Sequence, residues 1–254
     1  PHQSAAFYRL PDAPAYSLAQ AQQLQGKELS YNNILDTDAC WSAAREFDGP
    51  VCVIVKHMNP CGLALGDDLL TAYARAYACD PISAYGGVIA FTGTVGGDVI
   101  SAMLDNKHFV EVIIAPDFSA EALELIAQKP NTRVLRTGGI LPAGGEREVR
   151  TVEGGLLVQM ADSVAEDPDS FTVVTRVTPS AEELEQLLFA WRVVKSVKSN
   201  AIILAKDFET VGVGAGQPNR VNSARIAVDA AGEKAVGAVC ASDAFMPFPD
   251  SLEV

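Results

Sequence analysis

The residues best suited to chemistry stand together at Lys56-His57-Met58-Asn59-Pro60-Cys61-Gly62. The apolar, β-branched run Val51-Cys52-Val53-Ile54-Val55 reads as a strand buried on both faces, which places Lys56 and His57 at a strand end. A strand end feeding a Pro/Gly turn is where an α/β sheet presents rigid side chains to a ligand. An imidazole takes or gives a proton near neutral pH, so the pair suits general acid–base work. A structural His beside a surface Lys is the plainer alternative on spacing alone.

The other patterns are weaker. A zinc deaminase uses H-x-E followed by P-C-x-x-C, but Asn59 stands where Glu is needed and Ala64 where the second Cys is needed. Cys61 then reads as a packed thiol. Gly212-Val213-Gly214-Ala215-Gly216-Gln217 lacks the third glycine of a dinucleotide fingerprint, though its small residues allow close approach of a ligand or another backbone, with Gln217 and Arg220 as donors near a helix start. Lys195, Lys198, Ser199 and Asn200 meet at a helix-to-strand boundary. Tyr85-Gly86-Gly87 and Ser242-Asp243-Ala244-Phe245 put aromatics beside tight turns, where core packing is the simpler account.

The elements that must position these residues alternate. After the strand at 51–55 and a turn at Asn59-Pro60-Cys61-Gly62, apolar spacing predicts a helix over 67–79, a strand at 87–91, a helix over 98–106 and a strand at 110–115. A helix over 119–128 and a strand at 133–136 follow. This order argues for an α/β fold with mostly parallel strands. Residues 1–137 form a first subdomain. Residues 138–178, rich in Gly and acidic residues, form a connector with one strand near 155–159, and 179–254 form a second subdomain. That second unit opens on a capping box at Ser180 and Glu183, and its helix carries a core stripe of Leu184, Leu187, Leu188, Trp191 and Val194. Strands at 200–205, 211–214 and 235–240 and a helix at 219–231 complete it. No residue-level repeat is visible, although the two halves could share an architecture.

Composition narrows the partners. With 254 residues, 48% of them hydrophobic and 20% charged, the chain closes one large core or two modest ones. A net charge of -13 without any basic run argues against nucleic acid. Five cysteines without a CxxC pair fit reduced thiols and a cytoplasmic location, and three scattered histidines give no zinc cage. No apolar run is long enough for a membrane helix, and the N-terminus has no signal-peptide pattern.

Six segments in order change the reading: Leu29-Ser30-Tyr31-Asn32-Asn33, Val55 to Gly62, Asp80 to Gly87, Val197 to Ile202, Gly214-Ala215-Gly216-Gln217 and Ser242-Asp243-Ala244-Phe245. Together they closely resemble the AICAR transformylase domains of bifunctional purine biosynthesis proteins. The resemblance implies two cytidine-deaminase-like α/β subdomains without zinc, in a homodimer with active sites at the interface. It implies a formyltransferase of purine biosynthesis that uses 10-formyltetrahydrofolate as cosubstrate and AICAR as acceptor. By resemblance Lys56, His57 and Asn200 are catalytic, Asn33, Tyr85, Gly86 and Glu111 line the AICAR site, and Arg220, Phe245 and Asp250 lie around the folate. Glu111 stands where some members have Asp, and Met246 and Pro249 where Phe and Arg are expected. The resemblance also implies flanking segments with phosphate-binding arginines and a cyclohydrolase domain beyond this sequence. A non-catalytic purine-precursor-binding module and an inert folded fragment are the competing expectations.

Overall fold

The computed structural model describes residues 3–141, 147–163 and 166–254; His2 and parts of the glycine-rich and acidic stretches of the expected connector lie outside them. The strands are β1 (Gln22–Gln25), β2 (Val51–Lys56), β3 (Asn59–Leu65), β4 (Gly87–Phe91), β5 (Thr94–Val95), β6 (Val110–Ala115), β7 (Asp117–Phe118), β8 (Arg133–Arg136), β9 (Arg147–Val152), β10 (Gly155–Met160), β11 (Ile202–Lys206), β12 (Glu209–Gly214) and β13 (Val239–Ser242). The α-helices are α1 (Tyr31–Ala44), α2 (Leu69–Cys79), α3 (Pro81–Ala84), α4 (Gly97–Asp105), α5 (Ala120–Ile126), α6 (Ala181–Lys195), α7 (Arg220–Ala231) and α8 (Asp250–Glu253).

Nine strands form one sheet in the order β1-β8-β6-β4-β2-β3-β12-β11-β13. The α/β class is as expected, but within this sheet parallel pairing is confined to β4 with β6 and β6 with β8. The remaining neighbours are antiparallel, because β2–β3 and β11–β12 are hairpins rather than strands joined by helical crossovers. The expected connector also differs. It holds two strands, β9 and β10, paired as a hairpin, where one was expected.

Period-two alternation splits the buried strands between two layers. Val53 and Val55 join Trp41, Ala44, Phe189 and Val193 on the face covered by α1 and α6. Cys52 and Ile54 join Tyr73, Ile89, Ile100 and Ile113 on the face covered by α2, α4 and α5. A smaller cluster of Ile202, Leu204 and Ala227 lies under α7. Each fully buried Ile or Val contributes about 1.5–3 kcal/mol against exposure.

The expected stripe on α6 is rotated. Its buried residues are Phe189, Ala190, Val193 and Val194, and Trp191 is exposed at 56%. Phe189 makes the difference, since its ring lies 5.4 Å from that of Phe47 and 6.1 Å from that of Phe208.

The six strands from β4 to the edge strand β13 form a repeat. In β4-β2-β3 and β13-β11-β12 a helix precedes a bulged hairpin, a second helix follows it, and a third strand pairs with the first strand of the hairpin. The first helix of each unit, α1 and α6, opens on a capping box, Ser30 with Asn33 and Ser180 with Glu183. The second helix lies so close to its hairpin that a Cβ at Gly62 would sit 1.9 Å from Ala76 O, and one at Gly212 would sit 2.1 Å from Ala227 O. The units meet where β3 pairs antiparallel with β12, so their hairpin turns lie at opposite ends of the sheet.

Candidate active site

Strand register gathers the sequence candidates at one sheet end. Lys56 ends β2 opposite Asn59, which starts β3, and Val55 pairs with Val88, so Gly87 starts β4 beside Lys56. Gly87 faces Val110 and Val112 faces Arg133, which places Glu111 at the same end. Across the seam between the units, β12 ends at Gly214 opposite Ile202, and Ile202 faces Ser242. Asn200 precedes Ile202 by two residues, and Arg220 opens α7.

His57 and Met58 form the two-residue turn of the β2–β3 hairpin, with φ of 55° and 62°. The left-handed region costs a non-glycine residue roughly 1–2 kcal/mol. Asp36 on α1 offsets this by accepting the His57 N–H at 3.3 Å and the Met58 N–H at 2.8 Å. Lys56 Nζ donates to Tyr85 O at 2.7 Å. The segment Asn59-Pro60-Cys61-Gly62, expected as the turn, is instead the first half of β3. Pro60 is tolerated because the ladder is interrupted there, opposite Ile54 and Val55. Cys61 is packed as expected, and burial pushes its thiol up to about 12.

Asn59 reaches across the seam. Its Nδ2 donates to His57 O at 3.1 Å, and its Oδ1 accepts the Lys198 N–H at 3.0 Å. Lys198 leads into Asn200, whose carboxamide is held at both ends: Nδ2 donates to Gln217 O at 2.8 Å and Oδ1 accepts from Arg220 Nη2 at 2.8 Å. Arg220 Nη1 also donates to Ser242 Oγ at 2.8 Å and to the Asp243 carboxylate. Burial works against the charge of Asp243, but hydrogen bonds from Ser199, the Ala201 N–H and Arg220 outweigh it and hold the carboxyl below its usual range. The structure thus brings Lys56, His57 and Asn200 to one place, and draws Arg220 to Asn200.

The remaining candidates are placed less tightly. Asn33 spends its Oδ1 on the Ser30 main-chain N–H and hydroxyl. The exposed Tyr85 ring lies 5.5 Å from Phe109, and Gly86, at φ 76°, donates its N–H to Phe109 O at 2.8 Å. Glu111 is paired with Arg133 at 2.8 Å. Phe245 is 82% exposed beyond β13, and Asp250 begins α8, which packs on α7. A cleft of about 1520 Å³ opens between α1, α6 and the β9–β10 hairpin, with Met58, Ser242 and Asp243 at one side and Trp191 in its wall.

Sequence reasoning missed Asp36 and Asp243 as partners of the site. The Gly212 and Gly214 pattern is explained by packing, because a Cβ at Gly214 would lie 1.9 Å from Ser223 O of α7. His108 stands apart, buried between Tyr73 and Ala84 O, and desolvation lowers its basicity. Among the described residues no helix is long and apolar enough to cross a membrane.

Chemically, this end of the sheet offers an exposed imidazole, an ammonium, and a carboxamide and guanidinium locked together. That set suits proton transfer beside an oxygen that gains negative charge. A model of the family described as AICARFT/IMPCHase bienzyme matches residues 1–230. The "Bifunctional purine biosynthesis protein PurH" of Bacillus cereus strain G9842 is 51% identical over 253 residues, covering 100% of this chain and 49% of that protein. The protein of the same description from Bacillus mycoides strain KBAB4 matches with the same identity and coverage. The chain therefore spans about half the length of the curated relatives it matches.

Proposed function

This chain belongs to the AICARFT/IMPCHase bienzyme family, and from that premise we propose that it transfers the formyl group of 10-formyltetrahydrofolate to the 5-amino group of AICAR, giving FAICAR and tetrahydrofolate. One observation carries the reading: Asn59 joins the His57 turn to the segment holding Asn200, which sets a proton acceptor and a donor pair at the same end of the sheet. The amine of AICAR is a poor nucleophile, because its lone pair is conjugated with the ring and carboxamide. His57 removes its proton as the new N–C bond forms. Asn200 and Arg220 stabilise the charge on the formyl oxygen, and the folate nitrogen takes a proton as its C–N bond breaks. Lys56 supplies a cation beside the reacting groups. Asn33, Tyr85, Gly86 and Glu111 line the AICAR side, and Arg220, Phe245 and Asp250 the folate side.

The twelve residues of β9 and β10 are all exposed, among them Val149, Val152, Leu156, Leu157, Val158 and Met160. An apolar hairpin of this kind marks a protein interface, which supports a homodimer. The activity is tested in the full natural polypeptide that carries this chain, by following formation of tetrahydrofolate from both substrates. His57→Ala should lower turnover by about 10² or more with the fold kept. No transfer by the unmodified protein, or an unchanged rate in the folded variant, overturns the reading.

A further inference from the structure

The two repeated units keep matching scaffold contacts. Asp36 accepts main-chain N–H groups of the His57–Met58 turn, and Gln186 Oε1 accepts that of Asp207 at 3.0 Å. Lys56 Nζ donates to Tyr85 O at 2.7 Å, and Lys206 Nζ to Val236 O at 3.2 Å. Asp243 Oδ1 accepts the Ala201 N–H before β11 at 2.9 Å, and Thr92 Oγ1 accepts the Val51 N–H at the start of β2 at 2.8 Å. Contacts present in both units hold the fold.

At the start of β3 the symmetry breaks. Asn59 bridges His57 O and the Lys198 N–H, whereas Glu209, at the corresponding position, faces Arg75 at 3.8 Å. We infer that Asn59 is a positioning residue for formyl transfer, setting His57 against Asn200 across the seam between the two units; this rests on the formyl-transfer reading above. The segment from Lys198 to Asn200 is already clamped on the β12–α7 side. There Gly216 N donates to Lys198 O at 2.8 Å, and Asn200 N and Nδ2 donate to Gln217 O at 3.2 and 2.8 Å. Asn59 is the direct tie from that segment to the turn that carries His57. Without it each side keeps its own scaffold, and only the spacing between base and carboxamide relaxes. A shift of about 1 Å in such a spacing can cost up to about 10² in rate.

The test measures kcat and both KM values in the full natural polypeptide for wild type, Asn59→Ala and Asn59→Asp. Aspartate keeps the acceptor for Lys198 N–H, the half of the bridge that crosses the seam, and loses only the donor to His57 O within the same hairpin. Asn59→Ala should lower kcat about tenfold with both KM values within about twofold, and Asn59→Asp should stay within about threefold of wild type. In a His57→Ala background, Asn59→Ala should cost less than about twofold, because the group being positioned is gone. A folded Asn59→Ala protein with wild-type kcat overturns the inference. So does Asn59→Asp as impaired as alanine, or a full tenfold loss in the His57→Ala background. If Asn59→Ala does not fold, Asn59→Asp decides: folded with near-native kcat supports the role, and folded with a tenfold loss, or unfolded, refutes it. Absence of transfer by the wild-type protein instead refutes the formyl-transfer reading itself.

Discussion

Replacing Asp243 should loosen the carboxamide side of the site by a predictable amount. Its side chain is 17% exposed and meets the Arg220 side chain at 10%. Alanine removes an acceptor for a guanidinium, worth about 1.5–3 kcal/mol, and one for the Ala201 N–H, worth about 1 kcal/mol. Arg220 keeps Asn200 Oδ1 and Ser242 Oγ, and the main chain at 243 is open to water. The loss should then fall short of the roughly 3–5 kcal/mol of a fully buried broken pair. About 2–3 kcal/mol is expected, or roughly 5–10 °C in melting temperature for a domain of this size. Asp243→Asn keeps the acceptor and loses the charge, so it should cost about half as much. The pH dependence has a definite sign. The folded carboxyl titrates below its unfolded value of about 3.9, so its contribution is complete above about pH 4 and disappears as pH falls through the folded value. Urea midpoints of wild type and Asp243→Asn, measured from pH 8 to pH 3, should differ by a constant amount down to about pH 5 and converge in acid. Equal midpoints at pH 7, or a gap that widens in acid, would refute the role assigned to this carboxylate.

Other outcomes follow from local geometry. Gly62→Ala places a methyl 1.9 Å from Ala76 O, so α2 must move, and urea unfolding should show a loss of about 3 kcal/mol; Gly154→Ala, with nothing within 4 Å but φ of 75°, should lose only about 1 kcal/mol. Cys61, buried and with its thiol pushed up to about 12, should resist a thiol reagent at pH 8 until the protein is unfolded, and rapid labelling of the native protein would contradict its packing. Leu157→Glu on the exposed face of β10 should shift light-scattering mass toward the monomer without lowering the melting temperature of the protomer, and an unchanged dimer would remove the hairpin from the interface.

β2, β4, β6 and β8 and the helices α2, α4 and α5 were legible because apolar runs and spacing carry the signal, and Asp68 and Ser119 cap their helices close to the expected starts. Helix α1 was passed over, since its buried face mixes Thr37 and Cys40 with Trp41 and Ala44 and gives little amphipathic contrast. Its one local sign was the Ser30 cap, with Asn33 in the place usually held by Glu. β3 was hidden by Asn-Pro-Cys-Gly, whose turn-forming character is absorbed by a bulge and by close helix packing. Lys56, His57 and Asn200 could be named from motifs. The ties among them could not, because Asn59 and Lys198 are brought together only by the β3–β12 pairing, which no local pattern encodes.

That pairing also bears on why the candidate residues gather at one sheet end although the scaffold is built twice. The matched main-chain N–H groups of Ala201 and Val51 put Asn200, two residues before β11, in the place that Pro50 takes before β2. Proline has no N–H and no carboxamide, and Pro50 O is engaged by the Gly66 N–H. The turn opposite carries Asp207 in place of His57, and Asp207 N is held by Gln186. That turn carries no imidazole, and proline stands at the position of Asn200, so the pair found at the other end has no counterpart there. Glu209, at the position of Asn59, faces Arg75 there instead of bridging two segments.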